Sequence, residues 1–395
     1  MSLDHDLELI LGVVERTDPS FRSVERERIE RRTKDLQTNL AECRREEFLL
    51  SAMSLFALAG NGHTRLIPND AISVLPFRFV SVGEAIFLTK TLGEFAEFAP
   101  GRLHRVNGTP VEGFLQTADC YLAGTRQRKR VIGPIMLAWP AALVRLGVAA
   151  ENGEISYQIV DAKGQIRTVR ANCNRTVPAC SLYPNSEHGR IDPSLSFRDY
   201  VEIQEWSDIG RSIILPSFFD KEGSALRDAI ASAENRVRLC PTLPLLIDVR
   251  GNTGGDFLSV MPLVEAITEC GQESGCVVLV DKFTFSAAIV FVAILKHRLG
   301  DKLKLVGEDM GDGLRFFAEG GLIDLPACGA VMRYSTALHD WETGTIDQTT
   351  PPEIAEHIVP VKDLKIDHHW VESPFDEISR EGVHRRFLKE LGFSL

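Results

Sequence analysis

A chain of 395 residues that is 44% hydrophobic and 25% charged has the composition of an ordinary globular protein and is long enough for two or three compact units. Its formal charge of −11 excludes a nucleic-acid-binding surface as the first expectation, since phosphate backbones need concentrated lysine and arginine. The eight cysteines are scattered with neither CxxC pairs nor a histidine cadence, which argues against a disulfide framework and a metal site, and no apolar run approaches the ~20 residues of a membrane span.

The first sixty residues read as helices. Leu7, Ile10, Leu11 and Val14 recur at helical spacing, a charged stretch follows to Arg45, and EEFLLSAMSLFALAG makes another amphipathic helix that Gly60 can close. The opening thirty residues lack the apolar segment and cleavage site of a signal peptide, so the expected location is the cytoplasm. From Leu66 to Asn172 the texture changes to short β-type runs broken by Gly, Asn and Pro, and Ala162-Lys163-Gly164 between two alternating runs reads as a hairpin turn. Within this region the basic run Arg126 to Arg130 (RQRKR) reads as a solvated loop. Residues 173 to 196 have no period and read as a linker.

The third region alternates strands and helices. SIILPSF, LPLLIDV, CVVLV and KLKLVG are strand-like. Between them lie EGSALRDAIASAENRVRL, DFLSVMPLVEAITEC closed by Gly271, and SAAIVFVAILKHRL closed by Gly300, all helix-like. Nearly continuous apolar strands separated by helices mean crossover units and a parallel sheet buried on both faces, an α/β fold. The expected layout is a helical unit over 1–65, a β-rich module over 66–172, the linker over 173–196, an α/β core over 197–375 and a C-terminal helical tail over 376–395.

Ligands of open α/β sheets collect where strand carboxyl ends lead into helix N-termini. Asp248-Val249-Arg250-Gly251-Asn252-Thr253-Gly254-Gly255 leaves one strand with three glycines in five residues, which lets amide N–H groups face a ligand as an oxyanion hole requires. The spacing is neither a Walker loop nor GxGxxG. Asp281 to Ala288 (DKFTFSAA) leaves the next strand and opens a helix. A serine there, Ser286, has its hydroxyl at the positive end of the helix dipole, with the amide of Ala287 unbonded, although helix capping by Ser286 or Thr284 is the ordinary use of such residues.

These segments carry a resemblance. LIDVRGNTGG resembles the DLRGNPGG signature of the tail-specific, or C-terminal-processing, serine peptidase superfamily (family S41), and DKFTFSAAIVF resembles the stretch around its catalytic serine. LKLVGEDMGDG and ALAGNGHTRL are similar to two further family segments in the same order, and the four together cover residues 45 to 370. The resemblance implies a crotonase-like core hydrolysing peptide bonds, and no residue pattern in the chain calls for a cofactor or a metal. The substrate would be a peptide or unfolded protein, in some members captured by a PDZ-like module, whose end GRLHRVNGTPVEGF resembles. It also implies Ser286 as nucleophile, with Gly254 or Gly255 and Ala287 as the oxyanion hole.

The chain departs from the family's Ser-Lys branch, because Asp312 stands where that branch has its lysine and a carboxylate cannot serve as the amine base. Asn61-Gly62-His63-Thr64 instead matches the tricorn-like Ser-His branch, which makes His63 the expected general base. Glu308, which follows a strand end, and Glu342, 56 residues after Ser286 and near where tricorn-like enzymes place a glutamate, are candidates for the acid that orients the imidazole, with Asp312 a further one, and the sequence does not choose among them. The pair His368-His369 has no further ligand at regular spacing, and His104, His188 and His297 read as surface residues. Two other functions fit the same features: a catalytically inactive member binding a peptide or apolar ligand, suggested by Asn61 where the family usually has Asp, and a crotonase-type acyl-CoA enzyme. A homo-oligomer is compatible with all three.

Overall fold

The computed structural model describes all residues except 1, 39, 41–42, 70–71, 183–200, 207–208, 221–224, 240–241, 376–377 and 391–395. The chain forms two compact units: the first comprises 1–186, 316–338 and 373–375, and the second 187–315, 339–372 and 376–395. The stretch read as a linker therefore lies outside the described residues from 183 onward, and at its start Val177–Pro178 pairs with Ser73–Val74.

In the first unit, α1 (Leu3–Gly12), α2 (Arg26–Thr38) and α3 (Arg45–Phe56) precede β1 (Arg65–Pro68). Phe48, Leu49, Leu50, Leu55 and Phe56 bury α3 on nearly every side, so burial rather than a narrow apolar stripe holds it. The helix ends in a tight turn at Ala57–Ala59, and Gly60 stops it at φ +62°, a left-handed conformation that glycine adopts without strain. An antiparallel sheet follows, with strand order β2 (Phe77–Val82), β3 (Ala85–Thr91), β4 (Gly101–Val106), β5 (Glu154–Val160) and β6 (Ile166–Asn172). The hairpin between β5 and β6 turns at Ala162-Lys163-Gly164. It is closed by Asp161, whose carboxylate accepts the N–H groups of Lys163 and Gln165, both at 2.9 Å. The basic run is not a loop: Arg126–Ile132 is a helix, with the Thr125 hydroxyl accepting the N–H of Arg128 and Arg130 paired to Glu84.

The second unit is built on a six-stranded sheet in the order β7 (Glu202–Trp206), β8 (Gly210–Ile214), β9 (Leu245–Asp248), β10 (Cys276–Val280), β11 (Leu303–Gly307) and β12 (His368–His369). Only the β7–β8 pair is antiparallel. Every residue of β8, β9 and β10 is buried, as a parallel sheet covered on both faces demands. The crossovers are α4 (Ala225–Leu239), α5 (Met261–Ser274) and α6 (Ala287–Leu299). A last helix, α7 (Arg380–Glu390), packs Val383, Phe387 and Leu388 against Leu246, Val277, Leu279 and Val306 of the sheet.

Gly271 does not end α5, which runs on to Gly275 at φ +76°. A Cβ on Gly271 would lie 3.0 Å from both Leu299 δ-carbons, so this glycine lets α5 approach the end of α6. His368 and His369 form the short strand β12 beside β11, and Asp367 next to them accepts the N–H of Leu305 at 2.9 Å.

Candidate active site

The loops leaving β9 and β10 are neighbours because their strands are paired, and their polar groups stitch them together. Asp281 Oδ1 accepts the N–H of Gly251 at 3.0 Å across the gap and those of Phe283 and Thr284 at 3.0 and 2.9 Å within its own loop. Thr284 donates its hydroxyl to Val249 O at 3.1 Å, and Phe285 N–H reaches Asn252 O at 3.0 Å. Burial raises the Asp281 pKa above the ordinary carboxylate value, opposed by the Gly251 N–H and by the charges of Lys282 and Arg250. Sequence inspection overlooked Asp281, although an aspartate opening a turn is a frequent acceptor for the next amides.

Ser286 occupies φ +57°, ψ −126°, a conformation that costs a residue with a Cβ on the order of 1–3 kcal/mol. Bonds on both sides impose it: Phe285 N–H is tied to Asn252 O, while the Ser286 carbonyl accepts the N–H groups of Ile289 and Val290 at 2.8 and 3.1 Å. The Ser286 side chain makes no capping bond to α6, and it is half-exposed between buried neighbours, so capping does not account for it. A strained serine on a sharp strand-to-helix turn is the arrangement that lifts a nucleophilic hydroxyl out of the backbone.

The glycine turn lies against it. A Cβ on Gly254 would sit 2.8 Å from the Ser286 Cβ and 3.0 Å from the Ala287 nitrogen, so only glycine fits there. The two predicted glycines divide their roles. Gly254 donates its N–H to Asn252 Oδ1 at 2.9 Å, whereas the N–H groups of Gly255 and Ala287 have no acceptor among the described residues. Asn252 in turn donates its side-chain amide to Leu215 O at 2.9 Å, and Gly255 is fixed by a parallel bridge to Phe218. The Ala287 N–H lies at the N-terminus of α6, where the helix dipole favours negative charge.

Beneath the glycine turn, Asp248 is fully buried. Its carboxylate accepts from Arg250 Nε at 2.9 Å and Nη2 at 2.7 Å, from the Arg250 amide at 3.1 Å, and meets His384 Nε2 of α7 at 2.8 Å. The other ring nitrogen of His384 meets Ser212 Oγ at 3.1 Å. Burial alone would raise the Asp248 pKa, but the charge and hydrogen bonds of Arg250, then His384, override it and hold the group well below the usual range.

The remaining expected residues are distributed as follows. Glu308 is ion-paired with Lys282 at 3.1 Å, with both side chains largely buried. Glu342 is exposed, and Asp312 is buried with Oδ1 accepting the N–H of Gly313 at 2.9 Å. His63 belongs to the first unit and Ser286 to the second. Within its unit His63 is buried and its ring stacks on Phe316, with centroids 5.0 Å apart and planes 19° from parallel. The flanking Asn61 pairs with the backbone of Phe317, donating to its carbonyl at 2.9 Å and accepting its N–H at 3.2 Å. That double role needs an amide, which gives Asn61 a local reason where a carboxylate could not donate.

The site and sheet define an α/β protein with a strained serine beside a glycine turn. Among solved structures, the chain is similar in fold to mature CPAF (12% identity, 98% of this chain and 96% of that one covered, TM-score 0.58) and to mature CPAF complexed with lactacystin (13%, 98% and 96%, 0.57). A photosystem II D1 C-terminal processing protease also aligns over 98% of this chain and 97% of its own, at 15% identity and a TM-score of 0.40. The likeness to CPAF is one of fold, and it extends over nearly the whole chain. No protein-family model and no curated protein sequence matches it.

Proposed function

We propose that the chain is a serine peptidase acting through an acyl-enzyme on Ser286. The observation that carries this reading is the strained, non-capping serine packed against the glycine turn at Gly254. In the reaction, His63 takes the hydroxyl proton as Oγ bonds to the scissile carbonyl carbon, and the N–H groups of Gly255 and Ala287 hold the oxyanion. Collapse breaks the C–N bond, with the proton passing from His63 to the leaving amine, and water then releases the acyl group by the same route. On this reading the second unit is a crotonase-like core, the strands around Gly101–Val106 are a PDZ-like module, and the substrate is a peptide or unfolded protein. The fold shared with CPAF and the family motifs support it.

The test is labelling by a fluorophosphonate probe, whose phosphorus takes the place of the carbonyl carbon as fluoride leaves. Labelling maps to Ser286, and Ser286→Ala lowers it by at least about a thousandfold while circular dichroism stays unchanged. Equal labelling of the alanine variant would sink the assignment.

A further inference from the structure

The turn that carries His63 is anchored by a carboxylate that the sequence analysis did not single out. Asp18, buried in the first unit, lies 46 residues before Thr64 and 317 before Ser335. Its Oδ1 accepts from the N–H of Ser20 at 2.9 Å and the Ser20 hydroxyl at 2.6 Å. That half is an ordinary cap on the short helix Pro19–Ser23. The other oxygen does something a cap does not require: Oδ2 accepts from Thr64 Oγ1 at 2.6 Å and from the N–H of Ser335 at 2.8 Å. Thr64 is adjacent to His63. Because its one hydroxyl proton goes to Asp18, Thr64 Oγ1 is left to accept Asn61 Nδ2 at 2.8 Å, and the residues flanking Gly62-His63 are locked to one another.

We propose that Asp18 is a positioning residue for His63. It holds the Asn61–Thr64 turn so that the imidazole presents one fixed orientation, the task the sequence had reserved for Glu308, Glu342 or Asp312. The proposal rests on His63 being the general base. The donor arithmetic explains why both side-chain oxygens at this position must be acceptors. Ser20 and Ser335 both aim fixed backbone N–H groups at the carboxylate, one at each oxygen, so an asparagine in either flip would point its NH₂ at one of them.

The experiment compares Asp18→Asn with Asp6→Asn. Asp6 is an equally buried carboxylate of the same unit, but its bond goes to the Cys328 N–H at 2.8 Å. Both variants lose stability. Only Asp18→Asn lowers the limiting rate of fluorophosphonate inactivation, by about tenfold to a hundredfold, with the probe's half-saturation concentration unchanged, as a misaligned base predicts. Equal inactivation rates for the two variants would overturn the proposal. Should Asp18→Asn fail to fold, Thr64→Val and Thr64→Ser take its place: the serine variant keeps the wild-type rate and the valine variant loses it, and equal rates again overturn the proposal. Should the wild type itself resist the probe, the peptidase reading falls while Asp18 is still tested. Histidine-labelled NMR, with the His63 signal identified through His63→Gln, then shows a shifted or broadened ring resonance in Asp18→Asn and not in Asp6→Asn. An unmoved resonance overturns the inference.

Discussion

Two turns carry the proposed chemistry, and a buried aspartate holds each of them in a different electrical setting. Asp18 in the first unit is surrounded by neutral donors: two hydroxyls and two backbone amides. Asp248 in the second unit is bracketed by the Arg250 guanidinium and the His384 ring, with Arg380 Nε at 3.7 Å. Neutral donors have fixed directions and small reach, so the first arrangement dictates geometry and little else. Cations compensate a buried charge, so the second secures a carboxylate that burial alone would drive to its neutral form. On the proposed mechanism, the turn bearing the base is clamped by direction and the turn bearing only backbone amides by charge.

The largest way to break this comparison is Asp248→Asn. It leaves Arg250, whose side chain is only 12% exposed, without its main counter-charge, and such a loss costs about 3–5 kcal/mol. The expected outcome is loss of hydrogen-exchange protection across β9 and α7, while α3 keeps its protection. The pH dependence has a definite sign. Because the folded pKa of Asp248 is depressed, its contribution is whole above the ordinary aspartate value of 3.8 and is lost as pH falls below it toward the folded value. Wild-type protection in β9 therefore declines in acid. The asparagine variant, which has already lost that contribution at neutral pH, declines less, and parallel acid profiles for the two proteins would refute the charge-clamp reading.

A smaller effect of opposite sign comes from Ser286→Gly. The serine pays for φ +57° with strain that glycine does not feel, offset in part by the greater freedom of glycine in the unfolded chain. A net gain of about 1 kcal/mol in the second unit is expected together with complete loss of fluorophosphonate labelling. A glycine variant less stable than wild type would mean that the serine conformation is not strained at all.

How much of this was legible in the sequence follows from the range of each interaction. The glycine turn and Ser286 were readable because their features are local: an apolar strand, a run of glycines, and a helix start within a few residues. The buried strands of the second unit were readable for the same reason. Gly271 was misread as a helix stop because its reason is contact with Leu299, which lies in another helix. RQRKR was misread because charge density says nothing of the Thr125 cap that starts its helix. Asp18 and His384 were invisible: their partners lie up to 317 and 172 residues away, and neither has a local pattern that separates it from an ordinary cap or a surface histidine.

The smallest expected effect is the interaction between the two clamps. Asp18 and Asp248 share no bonded partner, and on the proposed mechanism they would serve different needs, one the direction of the base and the other the placement of amides around the oxyanion. Independent contributions to one transition state multiply, so the inactivation rate of the double variant Asp18→Asn/Asp248→Asn should equal the product of the two single effects within about twofold. Residues that act as a single unit behave otherwise, because once one is lost the other has nothing left to support. A double variant no slower than the worse single one would therefore merge the two clamps into one device and remove the distinction between direction and charge.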